Sequence, residues 1–335
     1  MTLSTAPNGS KVGVVLFQLG GPDSLEAVEP FLYNLFSDSD IIDFPFARIA
    51  REPLARLVAA RRARKVRHAY SLLGGSSPIN EITRQQATAL ERELRREMDA
   101  RVVVAMRYWH PLTEEAIAAL EPDSLAELVL LPLYPQYSKV TTGSSLNEWN
   151  RRYSRAATHP VPLHVVPHFY DDPHYIEAVA ERIDQALEQF TDSGQVELVF
   201  SAHSIPADVV AQGDPYKPQV EATMELVMRR GGWAHPNRLC YQSKVGPGRW
   251  LQPSLDATLR QLAAQRAQNL LVIPISFVSE HIETLREIDA EARALAQGLG
   301  IRRFALMPAL NDSPKFIQAL AELVRDALRA QPAAA

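Results

Sequence analysis

Leu198-Val199-Phe200-Ser201-Ala202-His203-Ser204-Ile205-Pro206 is the stretch from which the fold can be read. Three apolar residues stop abruptly at serine, alanine, histidine and proline. That is the pattern of a buried strand running into a loop at its carboxyl end. Open parallel sheets gather ligands at the carboxyl ends of their strands, which places His203 where chemistry sits. Leu271-Val272-Ile273-Pro274-Ile275-Ser276-Phe277-Val278 repeats the form and runs out into Ser279, Glu280, His281 and Glu283.

The same unit recurs outward in both directions. Val12–Leu16 runs into Gln18, Leu19, Gly20 and Gly21; Val102–Met106 into Arg107, Tyr108, Trp109, His110 and Pro111; Leu125–Leu133 into Tyr134 through Ser138. Leu239–Gln242 runs into Ser243 through Trp250, and Arg303–Met307 forms a last strand. Helical patterns separate these runs, among them Ile176, Val179, Ile183 and Leu187 on one face behind the Asp172-Pro173 start. A helix is predicted from Ile282 to Leu295, Thr113 is predicted to cap a short helix, and Ser313-Pro314 to start the closing one. Strand, loop and helix in this order predict an α/β protein of two similar lobes with parallel sheets and a cleft between them. The expected division is an N-terminal lobe over 1–165 and a C-terminal lobe over 166–330. The latter carries His203, Glu283 and a closing helix at 314–329.

Composition excludes several classes. The 335 residues carry a net charge of -4, which argues against general nucleic-acid binding. The one cysteine, Cys240, rules out an internal disulfide and a four-cysteine zinc or iron–sulfur site, and fits a reducing cytoplasm. No apolar run approaches the ~20 residues that span a bilayer. Residues 1–10 read as a loose leader and 331–335 as a frayed tail. The paired glycines Gly20 and Gly21 fit either a close backbone approach to a ligand or a tight strand-to-helix turn. Arg48, Arg51, Arg56, Arg61, Arg62, Arg64, Lys65 and Arg67 follow the broken apolar run Ile41–Phe46. They fit a solvated helix face, or a helix resting on an anionic membrane surface.

Glu283, Glu287 and Glu291 recur every fourth residue, so an α-helix would carry them as a ladder about 6 Å apart on one slowly drifting face. A solvated acidic face has the same spacing. Its start directly after a buried strand aims the first member inward and the last toward water. One imidazole with carboxylates suits a borderline divalent metal held in an open site. Tyr108, Trp109, Tyr137, Tyr216 and Trp250 fall in strand-end loops and would give a binding site flat apolar walls. Together these features point to a large flat ligand that meets a metal.

The residues around His203, with Gly213-Asp214-Pro215-Tyr216, resemble the ferrochelatase signature. So do Leu19–Ser24, Phe31–Asp38, Gly74–Pro78, Arg107–Pro111, Leu131–Ser138, Tyr241–Pro247 and Phe277–Leu285, in the family's order along nearly the whole chain. The resemblance implies a Rossmann-like, class II chelatase-like fold. It implies a lyase of heme biosynthesis that inserts Fe2+ into a porphyrin and releases two protons, with the pattern nearer the bacterial protoporphyrin type. By resemblance His203 takes pyrrole protons and contacts metal, Glu283 is its partner, and Glu287 and Glu291 relay metal or protons. Leu19, Arg107, Tyr108 and Trp250 match residues that contact the macrocycle, and 31–78 matches a lip that touches membrane in some relatives. No tightly bound cofactor and no iron–sulfur cluster is expected. The partners expected are porphyrin, ferrous iron and a transient membrane contact, for a cytoplasmic or membrane-peripheral monomer. The alternatives are a chelatase loading cobalt or nickel into another tetrapyrrole, and a non-catalytic tetrapyrrole carrier. Gln18, Glu280 and Arg286 depart from the family's usual Asn, Asp and Tyr, and Arg286 stands where it can neutralise the ladder.

Overall fold

The computed structural model describes residues 11–41, 47–72, 74–121, 124–156, 161–190, 194–244 and 248–332. The expectations for the leader at 1–10, the apolar residues 42–46, the side chain of Arg48, His159, the turn at 245–247 and the last residues 333–335 lie outside them.

The first half contains β1 (Lys11–Gln18), α1 (Val28–Ser37), α2 (Ala47–Ser71), α3 (Ile79–Leu94), β2 (Ala100–Met106), α4 (Thr113–Leu120) and β3 (Leu125–Pro132). A π-helical turn at Lys139–Gly143 then leads into α5 (Ser144–Ala156), followed by β4 (Leu163–Val165). All four strands are parallel, in the order β2-β1-β3-β4. The central strand β1 is covered on both faces, with Val14, Val15 and Leu16 fully buried. That explains its continuous apolar run, where a half-exposed strand would alternate. Trp149 of α5 sits edge-on to Phe17 at 5.7 Å and anchors the helix layer on this sheet. The short edge strand β4 was not anticipated. His159 to Pro167 reads as a crossing segment because three prolines interrupt any period-2 pattern.

The second half contains α6 (Pro173–Leu187), β5 (Glu197–His203), α7 (Ala207–Ala211), α8 (Tyr216–Gly231), β6 (Asn237–Gln242), α9 (Leu255–Ala264) and β7 (Asn269–Pro274). A π-helix at Glu283–Ala292, α10 (Arg293–Gly298) and β8 (Arg303–Leu306) complete it. Its strands are again all parallel, in the order β6-β5-β7-β8. Taken in chain order, the two sheets have the same topology, so the two lobes are similar, as expected. Val199, Leu259, Leu270, Val272 and Ile288 form part of the second core.

The division of the chain differs from a cut at 165. One compact unit comprises residues 1–134, 139–168 and 312–335; the other comprises 135–138 and 169–311. The closing helix α11 (Pro314–Arg329), expected in the C-terminal lobe, belongs to the first unit and packs on α3. Its Phe316, Ile317, Leu320 and Val324 are buried, and Arg325 reaches Glu97 of the tail of α3 at 3.1 Å and Glu322 at 2.8 Å. Hydrophobic periodicity shows that a helix has an apolar face; it does not show which sheet covers that face. Two helix starts also differ in detail. Asp172 does cap α6, accepting from the Tyr175 amide at 2.8 Å. At α4 the cap position is Leu112, one residue before Thr113, and the Glu115 carboxylate accepts the Leu112 N–H at 2.6 Å. Ser313 occupies the cap position of α11 without a side-chain cap bond.

Candidate active site

In the second sheet the strand order reverses between β5 and β7; His203 is the last residue of β5, and Glu283 opens the π-helix that follows the loop leaving β7. Such a switch point opens a crevice for ligands. The His203 backbone is fixed on both sides: its N–H donates to Ser276 Oγ at 2.8 Å, and the Tyr216 hydroxyl donates to its carbonyl at 2.8 Å. This accounts for Gly213–Tyr216 accompanying His203 as a motif. Asp214 accepts the Tyr216 amide at 3.0 Å and starts the helix that delivers the phenol.

His203 Nε2 lies 3.5 Å from Glu283 Oε1, and His281 Nε2 lies 3.5 Å from Glu283 Oε2. Phe277 separates the two imidazoles, tilted over the His281 ring at 4.3 Å and edge-on to His203 at 6.1 Å. His281 Nδ1 faces the Ser279 carbonyl at 3.2 Å. A carbonyl can only accept, so Nδ1 carries a hydrogen on that side, and Nε2 is the nitrogen turned toward the carboxylate. His281 Nε2 and Glu283 Oε2 are both buried, and neither makes a hydrogen bond among the described residues. The pair is a buried, unsatisfied nitrogen and carboxylate oxygen between which a proton can be shared. Burial acts to lower the His203 pKa, but the Glu283 charge and hydrogen bond, with Ser204 and the Glu287 charge, together outweigh it and the net shift is upward from 6.5. Burial acts to raise Glu283, and the two histidines, His203 first, more than offset it, holding this carboxyl far below its usual range. Among the described residues no three His, Cys, Asp or Glu side chains converge as a resident metal cage.

The ladder that follows is not α-helical. Glu283–Ala292 is a ten-residue π-helix, wound on i→i+5 hydrogen bonds. Four α-helical residues over-rotate one turn by about 40°; the wider π winding leaves them short of a turn, so the ladder drifts in the opposite sense. Glu287 accepts a hydrogen bond from Ser243 Oγ at 2.5 Å, and burial, then the Glu283 charge, raise its pKa. Glu291, at the outer end and 57% exposed, pairs with Arg286 at 2.8 Å.

A second cluster lies wholly in the first unit, at the end of β2. Arg107 Nη2 lies 2.9 Å from Asp38 Oδ2, with side chains 13% and 1% exposed. The same oxygen accepts from the Tyr108 hydroxyl and from Ser144 Oγ, each at 2.6 Å, while Arg107 Nε donates to Ser144 Oγ at 2.8 Å. Burial acts to raise the Asp38 pKa, but Arg107, Ser144 and Tyr108 prevail and lower it. Tyr108 is 1% exposed, and its ring centre lies 5.1 Å from the Arg107 guanidinium carbon. Leu19 is half-buried in the loop after β1, and Trp250 is half-buried in the second unit, bridged to Pro206. The glycine pair is a turn. Gly20 has a φ of +81°, and a side chain on Gly21 would come within 2.5 Å of Ser77, in a loop that Asn80 ties to the Gly21 backbone.

A ferrochelatase family model matches residues 11–328 of the chain.

The chain belongs to the ferrochelatase family.

The Aquifex aeolicus ferrochelatase is 49% identical over 316 residues, covering 94% of this chain and 99% of that protein. The Nostoc punctiforme ferrochelatase is 48% identical over 322 residues, 95% of this chain and 83% of that one. The Geotalea daltonii ferrochelatase is 46% identical over 315 residues, 94% and 97% of the two. Among solved structures, SirB from Bacillus subtilis with Fe3+ superposes with a TM-score of 0.55 at 12% identity over 95% of each chain. CbiX, the terminal enzyme of siroheme biosynthesis in denitrifying bacteria, gives 0.50 at 14% identity over 95% of this chain and 99% of that one. At such identities these two share the fold, that of class II chelatases. In this ferrochelatase-family chain, sequence places His281 at a strand end without giving it a role, and it does not single out Asp38 or Ser144 as site residues. His281 lies two residues from Glu283, within one strand-end block, whereas Asp38 follows α1 and meets Tyr108 and Ser144 from 70 and 106 residues away, which no local pattern reveals. Of the departures, Gln18 is buried and its side chain accepts the Leu19 amide at 3.0 Å. The Glu280 amide donates to Asn311 at 3.1 Å.

Proposed function

We propose that this ferrochelatase inserts ferrous iron into protoporphyrin IX to give heme, with His203 as the base and Glu283 as its partner. In the net step two pyrrole N–H bonds break, four Fe–N bonds form and two protons leave, so the ring's two negative charges balance the ion. His203 takes pyrrole protons in its neutral form. Glu283 stabilises the imidazolium that results, and Glu287 and Glu291 pass metal in or protons out. Leu19, Arg107 and Trp250 contact the macrocycle, and Tyr108 acts through Arg107. A bent ring exposes its nitrogen lone pairs on one face, and strain of this kind supplies about 1–5 kcal/mol. The observation that carries the reading is the Glu283 carboxylate set between two imidazoles at the switch point, with an unsatisfied polar pair on one side.

The reading also places the protein in the cytoplasm as a monomer with peripheral membrane contact. Among the described residues no helix is long and apolar enough to cross a membrane. The support for contact is Leu54, Leu57 and Leu72, exposed on or just after the arginine-rich α2. Some of the arginines serve α1 instead: Arg67 pairs with Glu29 at 3.1 Å, and Arg56 and Arg62 lie over Tyr33 and Phe36.

The direct test is anaerobic mixing with Fe2+ and either protoporphyrin or coproporphyrin, followed by absorbance. Protoporphyrin is expected to be metallated faster; the reverse order would overturn the substrate assignment, and tight binding without metallation would favour a carrier. A second expectation concerns pH. Because His203 must be neutral to accept a proton, its raised pKa places the acid limb of activity above pH 6.5. In Glu283→Gln the largest raising influence is gone while burial remains, so the His203 titration should fall relative to wild type. Following the imidazole C–H resonances by NMR reads this without turnover, and an unmoved midpoint would refute the coupling.

A further inference from the structure

We propose that Arg286 sets the metal threshold of the acidic ladder by competing with the incoming cation for Glu291. The inference rests on the reading of Glu287 and Glu291 as a metal route. Residues five apart on an α-helix lie about 140° around the axis from each other, too far for direct pairing across one face. In the π-helix they stand one turn above each other, because that winding closes its hydrogen bonds at i→i+5. The π winding therefore brings Arg286 to Glu291 at 2.8 Å.

The other members of the helix are otherwise engaged. Glu283 lies between its two histidines, Glu287 accepts from Ser243, and Asp289 pairs with Arg293. Arg286 is thus directed to the outermost carboxylate, the first a cation meets from solvent. A hydrated divalent ion that binds Glu291 must displace the guanidinium. Because the pair is partly exposed, at 29% and 57%, it is a weak latch that a divalent ion can open. Arg286 acts through Glu291 and is a positioning residue.

The test measures the half-saturating Fe2+ concentration, anaerobically, at fixed protoporphyrin. Arg286→Gln should lower it about 2- to 5-fold with kcat unchanged, and should flatten its dependence on ionic strength. Arg286→Lys should keep the wild-type value. Glu291→Gln should raise it, and adding Arg286→Gln to Glu291→Gln should then change nothing. If Glu291→Gln shifts the half-saturation but Arg286→Gln leaves it unchanged or raises it, the role of Arg286 is refuted and the ladder stands. If Glu291→Gln has no effect, the ladder reading itself fails, and the threshold with it.

Discussion

Replacing His203 with alanine is expected to slow metal insertion by about 10²–10⁴-fold, the range a positioned proton acceptor contributes, while porphyrin still binds. The expectation follows from where the side chain sits. Its backbone is held by Ser276 and Tyr216 independently of the imidazole, so truncation removes the base without releasing the loop. Glu283 keeps His281 at 3.5 Å, but the carboxyl is held far below its usual range and is a poor proton acceptor at neutral pH. Porphyrin fluorescence quenching reads binding and single-turnover absorbance reads insertion. Turnover within a few fold of wild type would remove His203 from the proton path. Loss of binding along with turnover would make it a structural residue of the pocket.

The second large effect is on stability. Asp38→Ala should cost the folded protein about 3–5 kcal/mol, the usual loss when one partner of a buried ion pair is removed. One carboxylate oxygen meets Arg107, Tyr108 and Ser144, and the other accepts the Asp40 amide at 2.9 Å. Without it a guanidinium only 13% exposed and a buried phenol lose their acceptor together. Asp38→Ala with Arg107→Met should be more stable than Asp38→Ala alone, because no buried charge is then left over. Urea unfolding of the three proteins decides it, and a single-mutant loss under about 1 kcal/mol would show that water reaches Arg107. The pH sign follows from the lowered pKa of Asp38. Its contribution is complete above the ordinary value of 3.8 and is lost as pH falls through the lower folded value.

Much of this molecule is legible from residue order alone. The parallel strands other than β4 announce themselves as apolar runs ending in polar residues, because a strand covered on both faces has no reason to alternate. That is why His203 and Glu283 can be placed at strand ends before any coordinates exist. What stays hidden is longer in range or finer in geometry. The winding of Glu283–Ala292 escapes because its residues, Glu, Leu, Arg, Ile and Ala among them, suit an α-helix equally well. The Asp38 hub escapes because its partners lie 70 and 106 residues away in the chain. An aromatic at a strand end, such as Tyr108, looks the same in the sequence whether its ring faces a ligand or supports a neighbour.

The assignment of α11 to the first unit bears on how the protein is made. A nascent chain emerging from the ribosome delivers both sheets of the fold before it delivers this helix. Residues 169–311 separate the rest of the first unit from α11. At about 5–20 residues per second they take roughly 7–30 s to synthesise. Throughout that interval the apolar surface that α11 will cover on α3 is open to chaperones, or to another nascent chain. The lobe translated first is therefore the lobe completed last.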